Sequence, residues 1–483
     1  MAGLLAAGFA AGLGAPAVSQ AVDPAVIDAQ VQAVMDAAAI PGAAYAIVEG
    51  GAVVRVAAQG TTGVGAVPMA GSTPIVIGSV GKSLTALAIR QLIEAGSVSL
   101  DAPVTTYLPW FRVASPADGA GSMTIRSLLT HRSGLSTATG QDPRWYEPGL
   151  TGEAVVRGLA SASLDRAAGT YEYSNVNYVI LGVVAEAVSG LSYAAYLDQH
   201  VFGPLGMTAS TAAPASPPSG HRYLFGIPAA FAEPYPSGMV AAGYQVSTAA
   251  DMARYVAALS NGGLLDGVDI TGRRAADPVP RYGTDWLPVS GETANSILAQ
   301  SGSTLSSNAA IVTLPSAKLG VVVVMNANPT EVMELTPGAV DLAIDVLRIQ
   351  RGQAAGTAGL SVRQLYLVLD GLLLVLAAAL VVHALRSRTW LARLSARPGR
   401  RFLVARTLVE DAALPLAVLV ALPLWIGSAG STPPGDVLAG WRFLLWTLPD
   451  LAVALLVLSA LPLLLGAAKL VAWRSGRWGT VAH

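Results

Sequence analysis

Ser79 and Lys82 stand three residues apart at the start of a helix-forming segment, Ile77–Gly96, whose Leu84, Leu87, Ala88 and Leu92 make an apolar face. That spacing is nearly one helical turn, so hydroxyl and amine share one side of it. A serine hydroxyl is a poor nucleophile until a neighbour takes its proton. A lysine amine can take it where burial and nearby positive charge lower its pKa. A helix N-terminus adds free N–H groups and a positive end, both favourable to a developing alkoxide. The chemistry on offer is acyl transfer, with Ser79 as nucleophile and Lys82 as base. Composition sharpens the reading: of 29 basic residues only Lys82, Lys318 and Lys469 are lysines, and an arginine could not give up its proton. Standing alone, the pair would better suit a surface lysine on an amphipathic helix. The overlapping Gly81-Lys82-Ser83 is no phosphate-binding loop, because that pattern needs glycine at the position of Val76.

A second group lies downstream in Tyr173-Ser174-Asn175. Tyr173 could relay a proton if Lys82 lowers its pKa, and Asn175 could bind both Lys82 and a substrate amide. Taken by itself, the segment is also an aromatic turn before the apolar helix Tyr178–Ala187. Other chemistries have little support. There is no cysteine, which excludes thiolate nucleophiles, disulfides and Cys-ligated metals. The histidines at 131, 200, 221, 383 and 483 are scattered with no H-E-x-x-H pair. No metal and no cofactor is therefore expected.

Elements able to position these residues can be read on both sides. Asp23–Ala38 carries helical spacing through Val26, Ile27, Val31, Val34 and Met35. Ala43–Val48 and Ala52–Ala58 form a predicted hairpin around Gly50-Gly51. Ala309–Leu314 and Val321–Met325 are strand-like, joined by a turn around Pro315–Gly320, and Pro337–Ile349 reads as a closing helix. Strands early and late with helices between predict an α+β unit over residues 22–350, an antiparallel sheet assembled from both ends plus a helical lobe. No internal repeat is visible. Gly352–Gly359 is a small-residue linker, within a segment 351–363.

The ends differ from this unit. Hydrophobic residues make up 53% of the chain and charged residues 12%, too apolar for an ordinary soluble protein. Up to position 350 there are 16 basic against 25 acidic residues; beyond it, 13 against 5. The basic part is also the apolar part, which points to a bilayer as partner and not to nucleic acid. Leu365–Leu385, Ala412–Ile426 and Leu448–Trp473 predict three transmembrane helices within 364–473. Seven arginines lie between the first two runs, in a loop 386–409. Lys469, Arg474 and Arg477 mark the tail 474–483, and Ser428–Trp441 has no basic residue. Positive loops stay in the cytoplasm, so the expected topology is multi-pass, with the C-terminus inside and residues before Leu365 outside. Residues 1–21 are expected to be an export leader, apolar from Gly3 to Val18 with small residues at Ala15-Pro16-Ala17 and Ser19-Gln20-Ala21, although no basic residue precedes them.

Together the motifs resemble the serine β-lactamase and penicillin-binding superfamily, and most closely its class C β-lactamase, D-Ala-D-Ala carboxypeptidase and esterase branch (peptidase family S12). The resemblance covers roughly residues 25–350. It rests on an ordered set: Ile77-Gly78-Ser79-Val80-Gly81-Lys82-Ser83, Met123 through Leu135, Tyr173-Ser174-Asn175, Phe202 through Met207, and Ser247 through Ala253. It implies a β-lactamase/transpeptidase-like fold and an acyl-enzyme mechanism in which Ser79 attacks a carbonyl while Lys82 and Tyr173 move protons. The oxyanion would be held by the N–H of Ser79 and one on a late strand. His131 is implied to pack, not to catalyse. The family's third motif is Lys-Thr-Gly or His-x-Gly. Here it is Gln300-Ser301-Gly302, followed by Ser303, so Gln300 stands where the family has a basic residue. Gly302 and the Ser303 N–H can still serve the oxyanion. The missing cation argues for a small-molecule or peptide substrate lacking a carboxylate, hence an esterase or peptidase before a true β-lactamase. The alternative expectation is a catalytically weakened ectodomain acting as a binding or regulatory module in cell-envelope physiology.

Overall fold

The computed structural model describes residues 22–114, 123–164, 169–261, 297–329, 336–356, 359–388, 417–421 and 449–474, with isolated residues and pairs elsewhere. Two compact units make up the chain, one of Met1–Tyr223 with Ile227–Val362 and one of Leu224–Gly226 with Arg363–His483. The expected leader 1–21, the loop beyond Arg388, the tail from position 475 and most of the second apolar run Ala412–Ile426 lie outside the described residues.

In the first unit, helix α1 (Pro24–Ala38) begins where the Asp23 side chain accepts from the Ala25 N–H and Pro24 fills the first helical position. Strands β1 (Gly42–Glu49) and β2 (Ala52–Gly60) form the expected hairpin, with Gly50 and Gly51 both at positive φ. A long helix-rich stretch follows. Its main members are α2 (Gly81–Glu94), α3 (Asn175–Ser189) and α4 (Ala249–Ser260). The chain then returns to the sheet as β3 (Leu287–Pro288), β4 (Leu298–Ser303), β5 (Asn308–Leu314) and β6 (Leu319–Met325), and closes with α5 (Ala339–Gln350). The strand order is β2-β1-β6-β5-β4-β3, antiparallel throughout. β1 pairs with β6, so the first and last strands of the unit meet at the centre of the sheet.

Burial explains why these strands are continuously apolar instead of alternating. β1, β5 and β6 are buried on both faces. Ala44, Ala46, Val48, Ile311, Val322 and Val324 share one core with Met252, Ala253 and Val256 of α4. The intervening Tyr45, Ile47, Val321 and Val323 are equally buried, on the side where α1 and α5 pack. A sheet covered by helices on both faces has no polar face to present.

Two boundaries differ from expectation in ways that matter. Ser79 is not in the α-helix proper but in a 3₁₀ turn, Gly78–Val80, from which α2 starts at Gly81; Gly78 adopts φ +54°. The turn between β5 and β6 is also tighter than the sequence suggests: Pro315–Ala317 form a 3₁₀ turn and Lys318 takes the left-handed conformation at φ +47°.

The second unit contains α6 (Val362–Arg388) and α7 (Pro449–Arg474). Within them, Val362–His383 and Asp450–Ala467 are long and apolar enough to cross a membrane. At 1.5 Å per residue, the first of these 22-residue and 18-residue stretches spans about 33 Å, one hydrocarbon thickness. Of the three expected spans, two therefore have described helices of suitable length.

The Lys318 conformation generates a stability prediction. A side chain in the left-handed region costs about 1–2 kcal/mol, while glycine there loses about 0.5–1 kcal/mol through unfolded-chain entropy. Lys318→Gly should be neutral to stabilising by up to about 1 kcal/mol, and Lys318→Val should be destabilising. Thermal unfolding of the purified chain checks the order; a valine variant as stable as the glycine variant would contradict the assigned turn.

Candidate active site

The turn carrying Ser79 can exist only because three glycines let backbones touch. A Cβ on Gly78 would lie 2.4 Å from the Ser303 nitrogen. One on Gly302 would lie 2.1 Å from the Ile77 carbonyl oxygen and 2.8 Å from the Ser79 nitrogen. One on Gly243, which has φ +154°, would lie 3.1 Å from the Ser79 nitrogen. Such separations are inside contact distance, so any side chain would force the segments apart. The result brings the β4 strand end, the Val240–Tyr244 turn and the Ser79 turn into direct backbone contact.

Ser79, Lys82 and Tyr173 are brought together by this packing. The Ser79 Oγ lies 2.9 Å from Lys82 Nζ and 2.7 Å from Tyr173 Oη. The Lys82 amine also donates to the Ala242 carbonyl in a short hydrogen bond. It sits 4.9 Å from the centre of the Tyr173 ring and 5.8 Å from that of Tyr178. Lys82 is 1% exposed, while Ser79 and Tyr173 are only half-buried. A dry amine beside a reachable hydroxyl is the condition that base-assisted attack requires.

Tyr173 is held through its backbone. His131 Nδ1 accepts the Ser174 N–H at 3.0 Å and lies 3.1 Å from Asn177 Nδ2. Thr137 Oγ1 donates to the Tyr173 carbonyl at 2.6 Å, and Ser174 Oγ to the Ser136 carbonyl at 2.9 Å. His131 is fully buried, with its ring 4.6 Å from the Tyr173 ring. Burial, and secondarily the positive charge of Lys82, push its pKa down to about 3. It is therefore a neutral imidazole that positions the tyrosine; its acceptor nitrogen is occupied and it does not touch Ser79.

The remaining expected residues fall in two groups. Gly302 and Ser303 lie against Ser79, as the glycine contacts above describe. The main chain of β4 past Ala299 has no further strand beside it on that edge among the described residues. Gln300 is on β4 but 2% exposed, on the strand face opposite Ser301 and Ser303. Asn175 differs from expectation. Its Nδ2 donates to Tyr146 Oη at 2.9 Å and its Oδ1 is buried with no hydrogen-bond partner, so it does not bind Lys82. As the first residue of α3 it points toward Tyr146, and the Ala242 carbonyl takes the bond that Asn175 was expected to make.

Sequence reasoning missed Ala242, Gly243, Tyr146 and Tyr178. Two of these act through backbone atoms, which leave no side-chain signature. The run Ala241-Ala242-Gly243 is a signal only in hindsight, three small residues where backbones must approach.

An antiparallel sheet with a helical lobe thus brings a serine, a lysine and a tyrosine side chain together. Residues 27–344 match the sequence profile of the family described as Beta-lactamase, and the chain belongs to that family, whose members are serine hydrolases. It is 36% identical to esterase EstB of Burkholderia gladioli over 156 residues, covering 29% of this chain and 38% of that protein. It is 35% identical to penicillin-binding protein 4 of Amycolatopsis lactamdurans over 138 residues, covering 28% and 35%. The alignments thus span little more than a third of these relatives. Among solved structures, an octameric penicillin-binding protein homologue from Pyrococcus abyssi shares the fold, with a TM-score of 0.58, 24% identity, and coverage of 70% of this chain and 79% of that one.

The buried His131 makes stability acid-sensitive. Its folded pKa of about 3 lies below the ordinary 6.5, so the unfolded chain binds a proton between those values that the native one refuses. Stability should fall as pH drops from about 6.5 toward 3, with a slope contribution of up to about 1.4 kcal/mol per pH unit. His131→Asn tolerates the left-handed φ of +52°, keeps an acceptor and removes the titration. Its acid limb in pH-dependent denaturation should be flatter by about one proton; an unchanged limb would refute the assignment.

Proposed function

We propose that the chain is a membrane-anchored serine hydrolase that forms an acyl-enzyme on an ester or amide outside the cytoplasm. The observation carrying this reading is the Ser79 hydroxyl held between a buried lysine amine and a tyrosine hydroxyl. Ser79 Oγ attacks the carbonyl carbon as its proton passes to Lys82 Nζ. The oxyanion accepts from the N–H groups of Ser79 and Ser303. Tyr173 Oη, in contact with the nucleophile, gives its proton to the leaving group and regains one from the protonated Lys82. Water activated by the same groups then releases the acyl product. With Gln300 in place of a basic residue, an ester or peptide without a carboxylate fits better than a β-lactam or D-Ala-D-Ala peptide; similarity to an esterase supports the preference.

Ser79→Ala should abolish labelling of the purified chain by a fluorophosphonate probe. Lys82→Arg, which keeps the charge but cannot yield the proton, should slow labelling by about 10³-fold or more. Undiminished labelling of Ser79→Ala would refute the nucleophile. Wild type that neither labels nor releases a burst of product from an aryl ester would instead favour a binding module on this scaffold.

The membrane reading rests on the two long apolar helices and on the arginines that follow the first. A reporter active only in the cytoplasm should be active when fused after His483 and silent when inserted near Gly430. The opposite pattern would reverse the orientation.

A further inference from the structure

A small hairpin, Gly220–Leu224 and Ile227–Phe231, ends in a tip whose chemistry does not suit water. Phe225 and Gly226 turn the chain at φ +50° and +72°. Two successive positive φ values belong to the two-residue turn in which Asn-Gly or Asp-Gly is usual, and a bulky side chain in the first place is strained. The ring gains no burial in return. Leu224 is 42% exposed, Phe225 52% and Ile227 68%. From Tyr223 to Phe231 there is no charged residue. Single exposed apolar side chains are ordinary, but three together at one uncharged tip mark a surface that meets something apolar.

The neighbourhood of the tip says what that is. Leu224–Gly226 belong to the same compact unit as α6 and α7. Within that unit the Phe225 N–H donates to the Asp450 carboxylate, and Asp450 opens the membrane-length stretch of α7. A Cβ on Gly226 would lie 2.9 Å from Tyr366. Tyr366 is four residues into the membrane-length stretch of α6, about 6 Å along its axis. The tip thus stands level with the first turns of both apolar helices, where the hydrocarbon of a bilayer gives way to headgroups. Chain length agrees. The Gly356 N–H is still fastened to Asp345 of α5, and α6 starts at Val362, so six residues, at most about 20 Å of chain, separate the folded unit from the span.

We infer that the tip Leu224–Ile227 is inserted into the lipid interface of the leaflet from which α6 and α7 start, as a second membrane contact besides the spans. The inference rests on the membrane-anchored reading and adds a lipid-binding surface to it. Lipid buries the three side chains that water leaves exposed. The turn N–H, which lipid could not satisfy, already has its acceptor in Asp450.

The chain has no cysteine, so one introduced thiol can carry an environment-sensitive nitrobenzoxadiazole dye. The test uses the full-length purified chain in phosphatidylcholine vesicles, with spin-labelled lipids that quench either at headgroup level or at the bilayer centre. Dye on Ile227→Cys should be quenched by the headgroup-level lipid about twofold or more beyond dye on Val54→Cys, as an interfacial group is. Val54 is an exposed residue of β2 near the Gly50-Gly51 turn. Dye on Leu372→Cys, at an exposed position midway along α6, should be quenched most by the lipid that acts at the centre. Thermal unfolding like that of wild type reports that I227C is folded; should it not fold, Leu224→Cys carries the same comparison. Dye at 227 quenched no more than at 54, with 372 quenched, overturns the lipid-inserted tip, leaves the anchoring intact and points to a protein partner instead. No quenching at 372 overturns the membrane reading and the tip with it.

Discussion

An amine without water is the constraint around which the first unit is organised. Taking an ammonium-sized ion out of solvent costs several kcal/mol, so Lys82 needs both a dry site and polar partners within it. The partners are the Ser79 hydroxyl, the Ala242 carbonyl and the faces of Tyr173 and Tyr178. The dryness comes from placing α2 at the centre of the lobe, buried continuously from Gly81 to Leu92. A helix so enclosed cannot have a solvent face, and its polar residues must find partners inside. Thr85 does so with Tyr193 and the Ala241 carbonyl, and Gln91 with the His200 carbonyl. The Ala241–Ala242 backbone thereby holds the helix at two successive positions, one of them the lysine.

Much of this frame was legible because it depends on side-chain pattern. The Ser79–Lys82 spacing, the Gly50-Gly51 hairpin, the early and late apolar strands and the closing helix all follow from apolar periodicity and turn chemistry. What escaped depends on backbone geometry or on burial. Ser79 was expected within the helix, yet a positive φ at Gly78 starts a 3₁₀ turn first. Asn175 was expected on Lys82, yet a carbonyl two residues from Tyr244 occupies that place. The helix Ile77–Gly96 looked amphipathic, because Thr85, Arg90 and Gln91 are polar; nothing in a linear pattern says that those residues face protein instead of water.

Gln300 sharpens the electrostatic question. A basic residue there would help an amine beside it shed its proton by like-charge repulsion. Without it, no such repulsion comes from this position of the strand. His131, the other titratable group next to Tyr173, is kept neutral by burial, so no second cation competes for the small set of acceptors around Lys82. The contacts that keep water from Lys82 are made backbone to backbone. Glycine at 78, 243 and 302 removes the side-chain volume that would otherwise keep three segments apart and admit solvent between them. Dryness at the lysine and the close approach of the Ser79 turn to β4 are thus consequences of one packing event, and a change at any of the three glycines would disturb both together.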